Sequence, residues 1–403
     1  MYLTKEEEKM LSGEYGEAKQ WAMEILTKFG DSVGAKKMVP IVSSHISCLS
    51  LKIPGENEFI DEVLSRNGRV EIFSTSQCIS VDLRTWTEMN IDPEVAEKQK
   101  KVIMKSIELG IAPTFTCTPY LVGNTPRIGE HVAWCESSAI TYANAVLGAR
   151  TNRECGQSAL LAAITGRTPM YGYHLKENRW GDVLIRVRTI IKGEEDFSLL
   201  GYLVGREIEI GVPVFEGIKC ANSLELRALA TSLATTGQIA MFHIIGITPE
   251  AQTKEDAFGK QSPREVMDIE RSDLDQLESE LSSIDVRQVD TVVLGCPHYS
   301  IDEIKNIASY LVGRKVKRGK RLLICTSSVM RHLAERAGYA DIIRKAGGII
   351  ISDTCPVLMV GLRESFGCIG TNSTKMAHYG RLLTKSETFF SDLRNCLEII
   401  TER

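Results

Sequence analysis

Three of the eleven cysteines in this chain stand beside a proline, each after a run that reads as a strand. They are Cys117 in Thr116-Cys117-Thr118-Pro119-Tyr120, Cys296 in Gly295-Cys296-Pro297-His298 and Cys355 in Thr354-Cys355-Pro356. Three thiolates can hold an iron–sulfur cluster and leave one iron without a protein ligand, open to a substrate hydroxyl. Four favour an electron carrier or a structural metal. A cysteine that closes a strand is by default a small buried hydrophobe. The proline argues otherwise for these three, because it removes a backbone donor, fixes φ and turns the chain sharply around a bulky ligand. Cys48, Cys78, Cys135, Cys155, Cys220, Cys325, Cys368 and Cys396 lack that context, with Cys135 and Cys155 the nearest competitors. No Cys-x-x-Cys pair occurs, which argues against zinc ribbons, thioredoxin-like sites and ferredoxin-type runs.

Histidine use points the same way. Of seven, His45, His131, His174, His243, His298 and His378 fall in polar surroundings or at strand ends, and His332 falls within a helix. Isolated histidines are more often structural than catalytic, but six in such settings are expected to include a few that flank a site and orient charge. No His-x-x-x-His or His-Glu-x-x-His spacing exists, which argues against a mononuclear zinc hydrolase. Arg150-Thr151-Asn152-Arg153 and Gly166-Arg167 supply guanidinium forks for a carboxylate or phosphate, or simple ion pairs. Thr371-Asn372-Ser373-Thr374-Lys375 is a run of short donors plus one cation, suited to an anion. No Walker sequence and no Gly-x-Gly-x-x-Gly supports nucleotide binding.

The elements that must position these residues read as α/β layers. At 403 residues the chain exceeds a single core, so two or three domains are expected. The first thirty residues read as helical behind a Thr4–Glu7 capping box. A strand is expected at 38–43, a helix at 93–110, and a polar segment at 113–175 broken by a helix at 137–147. Then strands at 212–215, 239–245, 291–294, 321–325 and 348–352 alternate with helices at 223–234, 301–311, 327–337 and 340–346, before a last helix at 384–401. That alternation predicts mostly parallel sheets with flanking helices, and ligands at the carboxyl ends of strands. The domains are expected at 1–200, with the polar active-site segment, 201–285, and 286–403, with two of the three cysteines.

Composition is that of an ordinary globular protein, 43% hydrophobic and 25% charged, with net charge −4. The basic run Arg314–Arg321 reads as a solvated loop, so no nucleic-acid partner is expected. The charged N-terminus and the lack of a long apolar stretch predict neither a signal peptide nor a membrane span. A cytoplasmic location follows, in which the cysteines are free thiols or metal ligands.

The motifs resemble the aconitase X family, specifically its stand-alone large subunits. The resemblance runs through Leu11-Ser12-Gly13-Glu14-Tyr15-Gly16, Thr116-Cys117-Thr118-Pro119-Tyr120, Gly129-Glu130-His131-Val132-Ala133-Trp134 and Glu136-Ser137-Ser138-Ala139. It continues through Asn144–Arg153, Gly172-Tyr173-His174, Gly295-Cys296-Pro297-His298, Asp353-Thr354-Cys355-Pro356 and Ala377-His378-Tyr379. It implies an aconitase-like multi-domain fold with a cluster at a domain interface, and a hydro-lyase whose iron–sulfur cluster, 4Fe–4S with one iron lacking a protein ligand, is held by Cys117, Cys296 and Cys355. Archaeal members of this layout dehydrate 5-phosphomevalonate to trans-anhydromevalonate 5-phosphate. Bacterial relatives include cis-3-hydroxy-L-proline dehydratases.

The resemblance further implies acid–base or orienting roles for His45, Glu130, His131, Glu136 and His298. Substrate contacts are expected from Ser47, Asn124, Ser137, Ser138, Arg150, Asn152, Arg153, Tyr173, His174, Asn372, Ser373 and Lys375. The aconitase base is a serine on a swivelling domain that this chain does not resemble, so a separate small subunit of about a hundred residues is expected. Two other readings stand beside this one: a hydroxyproline substrate, or three cysteines whose metal only holds the domains together as a scaffold.

Overall fold

The computed structural model describes residues 1–362 and 366–403. Thr4 opens the first helix, Lys5–Leu11, through the expected capping box, its side chain accepting from the backbone of Glu7 while Glu7 accepts from the backbone of Thr4. The helical N-terminus is two helices rather than one. Gly13 and Gly16 take φ of 87° and 96°, values a side chain disfavours, and the chain turns there before Glu17–Ser32.

Three parallel sheets follow in chain order. The first has Phe73–Ser76, Ser43–Ile46 and Val132–Trp134 side by side. The second orders His243–Ile244, Pro213–Glu216, Val183–Val187 and Glu265–Ile269. The third orders Gly348–Ser352, Arg321–Thr326, Thr291–Leu294, Ile369–Thr371 and Thr388–Phe390. Helices cover each: Glu17–Ser32 and Gly156–Thr165 pack over the first, and Gly193–Ile208 and Ser223–Thr236 over the second. The third carries Ile301–Leu311 and Leu393–Ile400. The mostly parallel α/β architecture expected from the sequence is therefore the one observed.

Several elements differ. Strand Val183–Val187 and helix Gly193–Ile208 already belong to the second sheet, ahead of the expected border at 201. The strand expected at 239–245 contracts to His243–Ile244. The last helix is shorter, because Thr388–Phe390 first adds an edge strand to the third sheet and Leu393–Ile400 alone is helical. Cys117 does not end a strand; its approach makes only an isolated bridge, Thr75 to Ala112. The apolar helix Gly156–Thr165 lies inside the segment read as loops. Among the described residues no helix is long and apolar enough to cross a membrane.

Candidate active site

The carboxyl ends of the first and third sheets face one cavity of about 190 Å³. From the first sheet come Gln77 and Cys78, which follow Phe73–Ser76, and Glu136 and Ser137, which follow Val132–Trp134. From the third come Cys296, which follows Gly295 just beyond Thr291–Leu294, and Cys355, beyond Gly348–Ser352. Cys117, Lys375 and Tyr379 complete the polar wall, and Val357, Leu358 and Leu383 its apolar part. Thus the three proline-flanked cysteines, scattered over the sequence, converge on one space.

Gly295 makes the approach of Cys296 possible. Its φ is 89°, and a Cβ there would lie 2.1 Å from the carbonyl oxygen of Cys325. Behind this turn Ser300 and Glu303 form a capping box on Ile301–Leu311, and the Glu303 carboxylate also accepts from the buried Arg227 guanidinium. The same guanidinium meets Glu194 at 3.3 Å. Asn372 and Ser373 line a small pocket of about 20 Å³ beside Cys296 and Arg227. Tyr299 donates to Asn372 Oδ1 at 2.9 Å, and Ser373 caps the helix Thr374–Tyr379 that presents Lys375.

Electrostatics set the protonation of the wall. Burial alone would raise the Glu136 carboxyl. The Lys375 charge at 2.8 Å, together with the hydroxyl of Ser138, holds it below its usual range. Burial likewise opposes the Lys375 charge, and Glu136 more than restores it. The pair is therefore ionised, and Gln77 donates to the second oxygen of Glu136. Burial pushes the Cys296 thiol up, with Cys355 adding to the rise, and it pushes Cys355 up to about 11, with Cys117 adding. Cys117 is the exception: a hydrogen bond from Cys78 lowers it, and the His298 backbone N–H also donates to its sulfur at 3.2 Å.

His298 packs beneath these thiols. Its Nε2 lies 3.2 Å from the Thr354 carbonyl, its Nδ1 3.2 Å from Thr116 Oγ1, and Cys78 Sγ lies within 4 Å of both nitrogens. His45 is fully buried at the same end of the first sheet, its Nδ1 2.9 Å from Thr75 Oγ1. Burial lowers it to about 4, so it is neutral. Asn124 ties the strands together by donating to the Ser44 carbonyl and Thr75 Oγ1, and Ser47 hydrogen-bonds Glu56 at 3.4 Å. Neither lines the cavity.

A second group of expected site residues gathers elsewhere. His131 precedes Val132, at the amino end of the first sheet, whereas Glu136 follows its carboxyl end. Five residues of extended chain separate them by roughly 16 Å. There His131 and His174 stack with Nδ1 atoms 2.8 Å apart, and Arg150 donates to the His174 carbonyl. Asn152 binds the backbones of Tyr171 and Tyr173, Glu130 accepts from the Arg127 backbone, and Arg153 is exposed. None of these residues lines the cysteine cavity.

Residues 1–177 match the aconitase X first domain, 181–279 the aconitase X second domain and 289–402 the aconitase X third domain. The chain belongs to the aconitase X family. It is 40% identical over 402 residues to the phosphomevalonate dehydratase large subunit of Methanothermobacter thermautotrophicus, covering 98% of each chain. It is 33% identical to the cis-3-hydroxy-L-proline dehydratase of Pseudomonas aeruginosa, over 96% of this chain and 68% of that protein. The crystal structure of Thermococcus kodakaraensis aconitase X in its holo-form matches with a TM-score of 0.89 and 39% identity, over 98% of each chain.

Aconitase X membership suggests an iron–sulfur cluster, and the donor set of this cavity fits one. Three thiols face a common space, burial disfavours ionisation of Cys296 and Cys355, and Cys117 adds to both shifts, so a thiophilic group that displaces their protons relieves that conflict. Gln77, Cys78 and Tyr379 are cavity residues that sequence reading missed. Gln77 and Cys78 follow a strand, Phe-Ser-Thr-Ser, whose polar composition conceals it. The signal available was the similar polar run Ser43-Ser44-His45, with which it pairs in register.

Proposed function

We propose that this chain is the catalytic large subunit of a hydro-lyase that dehydrates (R)-5-phosphomevalonate to trans-anhydromevalonate 5-phosphate in isoprenoid biosynthesis. The observation that carries the reading is the convergence of Cys117, Cys296 and Cys355 on a cavity walled by the buried ion pair Lys375–Glu136. The three cysteines hold a 4Fe–4S cluster with one iron free of protein ligands. When bound, the cluster supplies a Lewis acid for the tertiary hydroxyl that leaves.

The chain's own residues bind and orient. Lys375 places a positive charge where a substrate carboxylate or phosphate must sit, and Glu136, itself held by Gln77 and Ser138, keeps that ammonium in place. Ser137 offers a hydroxyl on the same wall. Val357, Leu358 and Leu383 keep the cavity partly dry, which strengthens these charges. His298 orients the Cys117 loop from below through its backbone N–H. Proton removal from the carbon next to the carboxylate is assigned to a small subunit carrying the swivelling domain. Water leaves as the hydroxyl plus that proton, so no redox partner is required. The outlying group of Glu130, His131, Arg150, Asn152, Arg153, Tyr173 and His174 supports the first sheet from its far end.

The test is turnover by the chain co-purified anaerobically with its small subunit from source cells. Loss of one water from 5-phosphomevalonate, with no reaction of cis-3-hydroxy-L-proline, is the expected result. Turnover of hydroxyproline alone reassigns the substrate. A cluster-loaded complex inert to both substrates supports the scaffold reading instead.

A further inference from the structure

Cys78 was not expected at the site, and the cluster reading does not use it. It is 5% exposed and Cys117 is half-buried, yet both open onto the cavity of about 190 Å³. Their sulfurs come from separate parts of the fold, the carboxyl end of Phe73–Ser76 and the polar loop after Thr116, and lie within 4.8 Å of one another. They are in hydrogen-bond contact, with the Cys78 thiol donating to the Cys117 sulfur.

The ring of His298 leaves that contact undisturbed. Cys78 Sγ lies 3.6 Å from its Nε2 and 3.9 Å from its Nδ1. Each ring nitrogen already has a nearer oxygen partner, the Thr354 carbonyl at 3.2 Å for Nε2 and Thr116 Oγ1 at 3.2 Å for Nδ1. The thiol proton of Cys78 is left to the Cys117 sulfur, which also accepts from the His298 backbone N–H at 3.2 Å. Cys117, the more exposed of the two, meets an oxidant in the cavity first, and Cys78 is the thiol beside it. A reactive cysteine and its resolving partner are placed in this way. A disulfide needs its sulfurs about 2.05 Å apart. Cys117 lies in a loop rather than a strand, and the cavity gives both side chains room to rotate together.

We infer that Cys78 and Cys117 form a thiol-oxidation site, in which hydrogen peroxide converts the pair to a disulfide whenever Cys117 is not bound to the cluster. Cys117 attacks one peroxide oxygen; the O–O bond breaks, a sulfenic acid forms, and one water leaves with the thiol proton. Cys78 then attacks the sulfenic sulfur; the S–S bond forms, the S–O bond breaks, and hydroxide leaves with the Cys78 proton as a second water. Two thiols are thus oxidised by two electrons while one hydrogen peroxide is reduced to two waters. The disulfide takes Cys117 out of the ligand set, so the chain cannot load a cluster until a dithiol reduces it. It also spares Cys117 from the sulfinic acid, which thiols do not reverse. The exclusion of the cluster rests on the reading given above; the cross-link itself does not.

The test uses the complex stripped of its cluster by chelation, treated with hydrogen peroxide, blocked with N-ethylmaleimide and digested without reductant. Mass spectrometry is expected to find the Cys78 and Cys117 peptides joined, and dithiothreitol to separate them. Cluster reconstitution is expected to slow by about tenfold or more after peroxide and to recover with dithiothreitol. In Cys78→Ser the joined peptide is expected to disappear, Cys117 to accumulate as sulfinate, and dithiothreitol to restore nothing. Cys296→Ser is expected to form the joined peptide as the native chain does, so failure of the cluster reading leaves the cross-link intact. Circular dichroism checks that each variant is folded before treatment. Cys117 joined instead to Cys296 or Cys355, or left unjoined in the folded native chain, overturns the site. Reconstitution indifferent to peroxide overturns the exclusion, and full recovery of peroxide-treated Cys78→Ser with dithiothreitol overturns the protection of Cys117.

Discussion

Lys375 Nζ lies 2.8 Å from Glu136 Oε1, and this contact joins the third sheet to the first at the wall of the cysteine cavity. Both side chains are largely buried, so each charge depends on the other. Removing one partner of such a pair leaves an uncompensated buried charge. Lys375→Met is therefore expected to lower kcat/KM by at least about 100-fold, the scale of losing one charged donor at a reacting centre. Glu136→Gln keeps the hydrogen-bonding shape, and is expected to lose less activity and to remain folded. Steady-state kinetics with thermal melts of both variants checks this.

Gly295 is expected to tolerate no side chain. In Gly295→Ala the new Cβ meets the Cys325 carbonyl at 2.1 Å in a backbone region that L-residues disfavour. Backbone strain of that kind costs about 1–3 kcal/mol before the clash is counted. Lower thermal stability and a reduced iron content per chain are the expected outcomes, measured on the same preparation.

Arg227 tests how the Cys296 turn is supported. It sits between the buried Glu303 and the half-buried Glu194, and its guanidinium also reaches the His298 carbonyl at 3.5 Å. Arg227→Met is expected to destabilise the chain by about 3–5 kcal/mol. The double change Arg227→Met with Glu303→Leu is expected to recover much of that loss. Denaturant midpoints of the two variants decide it.

The histidine pair at the far end of the first sheet makes stability pH-dependent. Burial, with the charges of Arg150 and Arg179, lowers His131 to about 4; burial, with His131 and the same arginines, lowers His174 to about 3. The unfolded chain, with histidines near 6.5, binds more protons between those values. The stabilisation is thus complete above about pH 6.5 and is lost as pH falls toward 4. His174→Gln is expected to flatten that limb, as read from the slope of unfolding free energy between pH 7 and 5.

Much of the third sheet was legible in the sequence, because Thr291–Leu294, Ile301–Leu311 and Gly348–Ser352 have ordinary apolar patterns and clear caps. Two of the cysteines could be placed at strand ends for that reason. The first sheet was harder to read. Ser43–Ile46 and Phe73–Ser76 bury polar side chains that bond one another, as His45 does Thr75, so hydrophobic periodicity is missing where the cavity is built. Cys78 was lost with that strand. His131 and Glu136 are five residues apart and looked like one site, but a strand running between them puts them at opposite ends of the sheet.

The most direct measurement is the iron and sulfide content of the anaerobically purified complex with Cys117, Cys296 or Cys355 changed singly to serine. Each change is expected to abolish the cluster's visible absorbance and dehydratase turnover together, with the chain still folded. A cluster retained at full content, with full turnover, in any one of the three contradicts the assignment of these thiols.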